Sequence, residues 1–403
     1  DPLDLVFLDP PFDATELFAA ALAAAVRTLK PGGLIYLEAP VQWPEVELAD
    51  LGMASAQIAP LWIDNLDGYT AESAARKLRV GYAANPAGTG AALLLRCGAD
   101  EPPVGVQCLH PRRFHRGSRV LNAAAIADFA VARDHRSLGP ALMLIRAIAS
   151  LGSERFDLVY GLPNPSATAV CRRGGLRQIG AVQRYVKVLR WQYLLARRVP
   201  SWMAHLLSAL VEPARRVFET ARRAVNLPWL HWRECGWSEP ALDSIWSRRP
   251  ADLLLSERSA AMLDWRFGDA PGAPWRLGIA ADAGGTPQGY VVWRLHDRVA
   301  EVGDVFAVDP ARHLAPVLLC FFGAAAGEGA ASVSVEFAGP PALLSCLHRA
   351  GMAPRGQPSP VFDVPPREGA DPSAPRARLP SSLGAAVMGV SGALAAIAFV
   401  IGT

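Results

Sequence analysis

Two stretches of this chain are alike. Phe129–Leu144 reads FAVARDHRSLGPALML and Phe306–Cys320 reads FAVDPARHLAPVLLC, with a one-residue gap between them. Each opens as a short apolar run, passes a polar turn and continues with helical spacing, so each predicts strand, turn, helix. Each follows a strand that begins on glycine, Gly105-Val-Gln-Cys and Gly289-Tyr-Val-Val, and each leads to a similar helix end, CRRGGL (Cys171–Leu176) and LHRAGM (Leu347–Met352). Matched landmarks in one order indicate an internal duplication. The 403 residues suffice for two or three domains, and 51% hydrophobic against 19% charged residues predicts a buried core.

Around these landmarks the pattern predicts strands at Ala92–Leu95, Val104–Leu109 and Ala123–Val131, and a helix from Pro140 to Ser150. Strand Phe156–Tyr160, helix Asn164–Arg173 and strands about Gln178 and Tyr185 follow. The first unit thus spans 71–190 and the second 251–356. Between them, 191–250 reads as a basic helical connector in which Arg197, Arg198, Arg215, Arg216, Arg222 and Arg223 alternate with apolar residues. It is read as a solvated connector, with a membrane-surface or RNA-binding helix as the alternative. A Pro/Gly/Arg-rich linker covers 357–380.

The turn of the first copy carries chemistry. A glycine where a strand becomes a helix exposes backbone N–H groups at the helix N-terminus, which bind phosphate, and Arg136 adds a fixed positive charge. Arg136-Ser137-Leu138-Gly139-Pro140-Ala141 resembles the R/Q-x-x-G-x-G/A loop of the GNAT acyltransferase superfamily, and Asn164-x-x-Ala167 followed by CRRGGL resembles its second cofactor motif. The resemblance covers about 71–190 and extends, weaker, over 251–356. It implies a tandem GNAT-type acyltransferase that uses acetyl-coenzyme A or another acyl-coenzyme A. The strand Phe129–Val131 would run along the pantetheine arm, and Arg136, Ser137, Leu138, Gly139, Ala141, Asn164 and Ala167 would complete the cofactor site. The second copy has Ala315 for the glycine and keeps Arg312, so it is expected not to bind the cofactor.

The family's usual tyrosine falls at Cys171, which leaves Cys171, Tyr160 and Tyr185 as candidate proton donors to a departing thiolate. Asp128, beside the central strand, is a candidate general base, with a strand cap or a pairing with an arginine as the alternative reading. Asp304, Trp265 and Arg266 are candidates for an acceptor wall. The acceptor itself would be a small molecule or an envelope precursor bearing an amine or a hydroxyl.

The first residues pose a second question. In LDLVFLDPPFD, the quartet Asp9-Pro10-Pro11-Phe12 ends a strand, and a capping box at Asp13 and Glu16 opens a helix that Pro31-Gly32-Gly33 stops before strand Leu34–Leu37. Residues 1–57 resemble the C-terminal part of an RsmD-type methyltransferase of small-subunit ribosomal RNA, a partial Rossmann-like piece. The acid and proline would grip an exocyclic amine and the aromatic would stack on a flipped base. S-adenosylmethionine would bind only if the half carrying its glycine-rich loop were present, and RNA is a partner only on this alternative reading. The chain begins at Asp1 inside a strand and is expected to be a fragment.

The formal charge of +3 is too small to argue for nucleic acid. Six cysteines form no C-x-x-C pair and lack histidines at zinc spacing, which predicts no metal site and a reducing, cytoplasmic setting. The uncharged run 381–403 is long enough to span a bilayer, with Arg376 and Arg378 before it, and is read as a candidate inner-membrane anchor against a flexible alanine-rich tail. The expected fold class is α/β with α+β mixed sheets: a methyltransferase-like piece, two GNAT-like domains and a candidate C-terminal transmembrane helix.

Overall fold

The computed structural model describes residues 3–8, 21, 24–25, 27–37, 46–98, 101–136, 138–190, 217, 230–268, 274–365, 385–388 and 398–401. Strands β1 (Leu3–Leu8) and β2 (Leu29–Leu37) pair in parallel, with Leu5 opposite Leu34 and Leu8 opposite Leu37. The second strand begins at Leu29 and runs through Pro31-Gly32-Gly33, which were expected to stop a helix ahead of a strand at Leu34–Leu37. Within the expected methyltransferase-like piece, 1–57, the strand Val46–Asp50 pairs instead with Ala91–Leu95 of the large sheet, and Asp9, Pro10, Pro11 and Phe12 lie outside the described residues.

The next elements are β3 (Val46–Asp50), α1 (Leu51–Asn65), α2 (Ala71–Arg76), β4 (Ala91–Leu95), β5 (Gly105–Arg116) and β6 (Arg119–Val131). A π-helical segment, Lys77–Ala83, continues α2 directly. Then come α3 (Leu138–Arg155), β7 (Leu158–Gly161), α4 (Pro165–Arg173) and β8 (Arg177–Val188). The second half supplies β9 (Leu230–Cys235), α5 (Ala241–Ser247), β10 (Leu254–Ser256), α6 (Ala260–Phe267), β11 (Arg276–Asp282), β12 (Pro287–His296) and β13 (Val299–Ala307). It closes with α7 (Pro310–Gly327), β14 (Ser332–Phe337), α8 (Pro341–Arg349), β15 (Ala353–Asp363), β16 (Ala385–Met388) and β17 (Ala398–Ile401).

Strands β3 to β17 belong to one mixed sheet whose long path is β3-β4-β5-β6-β7-β15-β8-β14-β13-β12-β11-β9. The order has an internal symmetry. Hairpin β5/β6 carries β7 in parallel on one side, and hairpin β12/β13 carries β14 in parallel on the other. The two central strands are exchanged: β15, which follows β14 in the chain, pairs with β7, while β8, which follows β7, pairs with β14. Each half therefore completes its sheet with the other's last strand.

The two strand-opening glycines have a packing cause. A Cβ on Gly105 would stand 3.0 Å from Leu144 Cδ1 of α3, and one on Gly289 would stand 2.5 Å from the Phe306 carbonyl and 2.9 Å from Val317 of α7. Each helix crosses so close to its strand that a side chain there has no room. Under α3 the core gathers Leu93, Leu95, Leu109, Leu144, Ile145 and Ile148. On the other face of the same strands, α1 and the π segment bring Trp62, Leu78 and Tyr82 against Val106 and Cys108.

Three expectations are corrected. The described part of 191–250 contains a strand, β9, paired with β11, besides the short helix α5. Leu230 is buried and His231 exposed, and the arginine-rich composition hid this alternation. The strands expected about Gln178 and Tyr185 are one strand, because β8 is held from both sides by β14 and β15. In the apolar tail the described residues form the short strands β16 and β17, paired with each other. Among the described residues no helix is long and apolar enough to cross a membrane. Most of the run 381–403 lies outside the described residues.

Gly289→Ala is expected to lower stability by about 1–3 kcal/mol, since the obstructing atom is a backbone carbonyl that cannot rotate away. Urea denaturation of the two proteins reads this directly. An unchanged midpoint would refute the close approach of α7.

Candidate functional site

Strands β6 and β7 pair only from Ala123/Leu158 to Ile126/Gly161. Beyond that point β6 runs on to Val131, whereas β7 stops and the chain turns through Leu162-Pro163-Asn164 into α4. Pro163 has no N–H to continue a ladder. Asn164 caps α4, its side chain accepting from Ala167 N at 2.8 Å, and Pro165 takes the first helical position. The two strands separate around a cavity of about 350 Å³, lined by Ala127 to Phe129 on one side and Gly161 to Asn164 on the other, with Asp67 and Tyr69 also on its wall.

A β-bulge shapes the β6 side. The β5/β6 register shifts between Val106 and Cys108, and Asp128 takes φ 55°, a left-handed conformation rare for a residue with a Cβ. The bulge directs Asp128 toward α1 and the π segment. Its carboxylate accepts from Tyr69 Oη at 3.0 Å, from Lys77 Nζ and from Tyr82 Oη, and His110 Nε2 lies 3.5 Å away. Lys77 Nζ also donates to Tyr69 Oη at 2.6 Å and lies 5.8 Å from the Trp62 ring centre.

The electrostatics follow from burial and charge. Burial alone would push the Asp128 carboxyl up, but Lys77 and His110 together outweigh it and hold it well below the usual carboxylate range. Burial pushes His110 down to about 4, so its ring is neutral at pH 7. Burial and the Asp128 charge push Tyr69 and Tyr82 up, so both keep their protons. Asp128 is thus engaged by several donors and is a poor proton acceptor. Of the two sequence readings, the geometry favours the ion pair, with lysine rather than arginine as partner.

The remaining predicted residues divide in two. Phe129, Asn164, Ala167 and Cys171 line the cavity. Arg136 stands at the turn, its Nε donating to Val131 O at 3.1 Å and its Nη2 to Asn65 Oδ1 at 3.2 Å, which ties the turn to the end of α1. Gly139 lies in the first turn of α3. Val131 and Ala141 are buried beneath. Ser137 and the Leu138 side chain lie outside the described residues.

Burial pushes the Cys171 thiol up to about 11, above an ordinary thiol near 8.5, so it would give its proton to a thiolate only uphill. Neither expected tyrosine reaches the cavity. Tyr160 faces the opposite side of β7, packed edge-on against Phe114 at 5.7 Å, and burial pushes it up to about 12. Tyr185 sits on β8 against His348. Along a strand, neighbours alternate faces, so Gly161 meets the cavity and Tyr160 cannot.

Asp304, Trp265 and Arg266 do not line the cavity either. Asp304 is wholly buried, bound by Arg258 Nε at 3.0 Å and Tyr290 Oη at 2.8 Å, with Arg266 at 3.9 Å. Trp265 Nε1 donates to Val80 O at 2.7 Å, and the Arg112 guanidinium lies 5.0 Å from its ring centre. Trp265 thus packs the second half onto the first, while Asp304 is held within the second half.

Tyr69, Lys77, Tyr82, Gln107 and His110 were not found from the sequence. One signal was available: the chain has three lysines, Lys30, Lys77 and Lys187, among 40 Lys and Arg. A chain that otherwise uses arginine and retains a lysine marks a site for a compact ammonium. Among the described residues no group of His, Cys, Asp and Glu is placed to hold a metal ion, and the six cysteines are free.

The His110 shift has a measurable consequence. The folded protein holds the ring neutral down to about pH 4, while the unfolded chain takes up the proton near 6.5. The stabilisation is complete above pH 6.5 and is lost as pH falls from 6.5 toward 4, by about 3 kcal/mol in all. Urea denaturation at stepped pH should show this decline in the parent protein and a shallower one in His110→Gln. Equal slopes would refute it.

The chain matches no protein-family profile and no curated protein. Solved structures are similar to it in fold. A conserved protein of unknown function from Enterococcus faecalis, described as a probable N-acyltransferase, is 14% identical with TM-score 0.54, over 79% of this chain and 71% of that one. A GCN5-related N-acetyltransferase from Kribbella flavida is 14% identical with TM-score 0.52, over 89% and 84%. Another from Anabaena variabilis is 11% identical with TM-score 0.51, over 79% and 72%. The mixed α/β fold of this chain, with its large sheet and separated central strands, is the fold of GCN5-related N-acetyltransferases.

Proposed function

We propose that this chain is an acyltransferase of GNAT type that takes acyl-coenzyme A in its first half and passes the acyl group to a small molecule bearing an amine or a hydroxyl. The separation of β6 from β7 beyond Ile126 and Gly161 carries the reading. It opens an elongated space beside a helix N-terminus, with a glycine and an exposed arginine at the adjoining turn. Acyl-coenzyme A bound there supplies an activated thioester.

The residues fit such a group. Gly139 leaves the first turn of α3 without a Cβ, so a diphosphate can approach its amides, and Arg136 adds charge without filling the turn. A cavity of about 350 Å³ is of the size of a slender arm rather than a whole nucleotide. Phe129, Ala167 and Cys171 give it apolar walls. Tyr69 holds its proton at the wall, fixed by Asp128 and Lys77. Asp67, exposed at the cavity, is the better placed carboxylate for an incoming amine, because Asp128 is already engaged.

The duplicated landmarks and the mirrored strand order support a tandem origin, and the second copy is read as scaffold. Its helix α7 begins with Asp309, whose side chain accepts from Arg312 N at 3.2 Å. That carboxylate uses an amide a phosphate would need and repels the anion. Ala315 stands buried where the first copy has glycine. No observation among the described residues favours the methyltransferase alternative.

Calorimetric titration with acetyl-coenzyme A should give one site per chain. Gly139→Glu should weaken binding at least tenfold while leaving the melting temperature within about 2 °C, as expected for a change that touches no buried group. Absence of binding by the parent protein would overturn the proposal.

A further inference from the structure

The cavity between β6 and β7 contains a polar atom that the fold leaves unsatisfied. Gln107 lies on β5 opposite the bulge and is 1% exposed. Its Nε2 donates to Ala127 O at 2.8 Å. A carbonyl oxygen can only accept, so this bond fixes which end of the amide is which: the nitrogen faces Ala127 and the oxygen faces away. Gln107 Oε1 is buried and receives no hydrogen bond, although the residue lines the cavity. Buried polar atoms are nearly always paired, so an orphan on a cavity wall marks where a ligand supplies the missing donor.

The strand alternation says which side of the sheet that donor comes from. Along β5, Val106 and Cys108 pack with Trp62 and Tyr82, on the side of α1 and the π segment. Leu109 packs with Leu144 and Ile145 of α3, and the Cβ direction of Gly105 meets Leu144. Gln107 shares the parity of Gly105 and Leu109, so it belongs to the α3 side, the side of the turn at Arg136 and Gly139. Asp128, Lys77 and His110 occupy the other side.

Resting on the acyltransferase reading, we propose that Gln107 Oε1 accepts the N–H of an amide in the pantetheine arm of the cofactor. The side chain thereby reads an amide in preference to an ester at that point of the arm. This is a binding role: it fixes the arm's depth and thus where the thioester comes to rest beside the bulge.

The test uses acetyl-coenzyme A itself, titrated calorimetrically into the full chain and into Gln107→Leu and Gln107→Met, with melting temperatures recorded alongside. Each variant should bind about tenfold more weakly while staying folded at the assay temperature. A second measurement needs no variant: an acetyl-coenzyme A analogue with an ester in place of the amide nearest the thioester should bind the parent protein weaker by a similar factor. Parent-like affinity in a folded variant, or equal affinity for the amide and ester compounds, overturns the assignment while leaving the acyltransferase reading standing. Failure of the parent protein to bind acetyl-coenzyme A overturns both.

Discussion

A carboxylate inside this protein is held by a lysine, and the geometry of the cavity depends on that pair. Asp128 and Lys77 are both nearly excluded from water, their side chains 7% and 8% exposed. Two charges in such a place are tolerable only together, and removing one partner of a buried pair costs about 3–5 kcal/mol. The pair joins the bulge of β6 to the π segment, elements 51 residues apart in the chain. Asp128 keeps its left-handed backbone because Lys77, Tyr69 and Tyr82 draw its side chain inward. Relaxing the bulge to regular ladder would turn the carboxylate toward the opposite face and leave the ammonium without a counter-ion.

The bulge interrupts β6 at the place where β7 stops pairing. A regular strand would invite β7 to continue; an interrupted one, facing a proline and an asparagine that starts a helix, cannot. The opening is therefore built from two local features on adjacent strands. The exchange of β8 and β15 then stiffens what lies beyond it. A single half would leave β7 as an exposed edge, and here the strand covering that edge comes from the other half. Asp304 with Arg258 and Tyr290 repeats in the second half the arrangement of a buried aspartate bound by a cation and a tyrosine. In that half the helix start is closed by Asp309, whose side chain accepts from Arg312 N.

Much of the secondary structure was legible because it rests on short-range rules. The strands at 91–95, 105–116 and 119–131 and the helices after Leu138 and Asn164 follow from apolar periodicity, a glycine at a turn and an asparagine before a proline. The likeness of the two stretches was legible because Gly105 and Gly289 answer the same packing constraint, a helix crossing close over a strand. Five of the proposed cofactor and catalytic positions, Asp128, Phe129, Asn164, Ala167 and Cys171, do meet at one cavity. The ion cluster was not legible. Tyr69, Lys77, Tyr82 and His110 follow no motif, and what unites them is contact across two layers of the fold. Tyr160 and Tyr185 were drawn into the candidate list by their chemistry alone; a strand's two-residue alternation turns Tyr160 away, and Tyr185 lies on β8, against His348.

The sequence by itself determined the local grammar: which segments extend, which coil, where helices begin, and that two stretches share the same landmarks. These depend on backbone sterics, capping and periodicity within a few residues. Only the tertiary structure decided which half's strand completes which sheet, that Lys77, Tyr69 and Tyr82 gather on Asp128, and that Gln107, beside a cavity, keeps a buried oxygen without a hydrogen bond. Those outcomes depend on burial and on distances between residues far apart in the chain. Burial sets the cost of a charge or a lone pair, and no local pattern of residues encodes it.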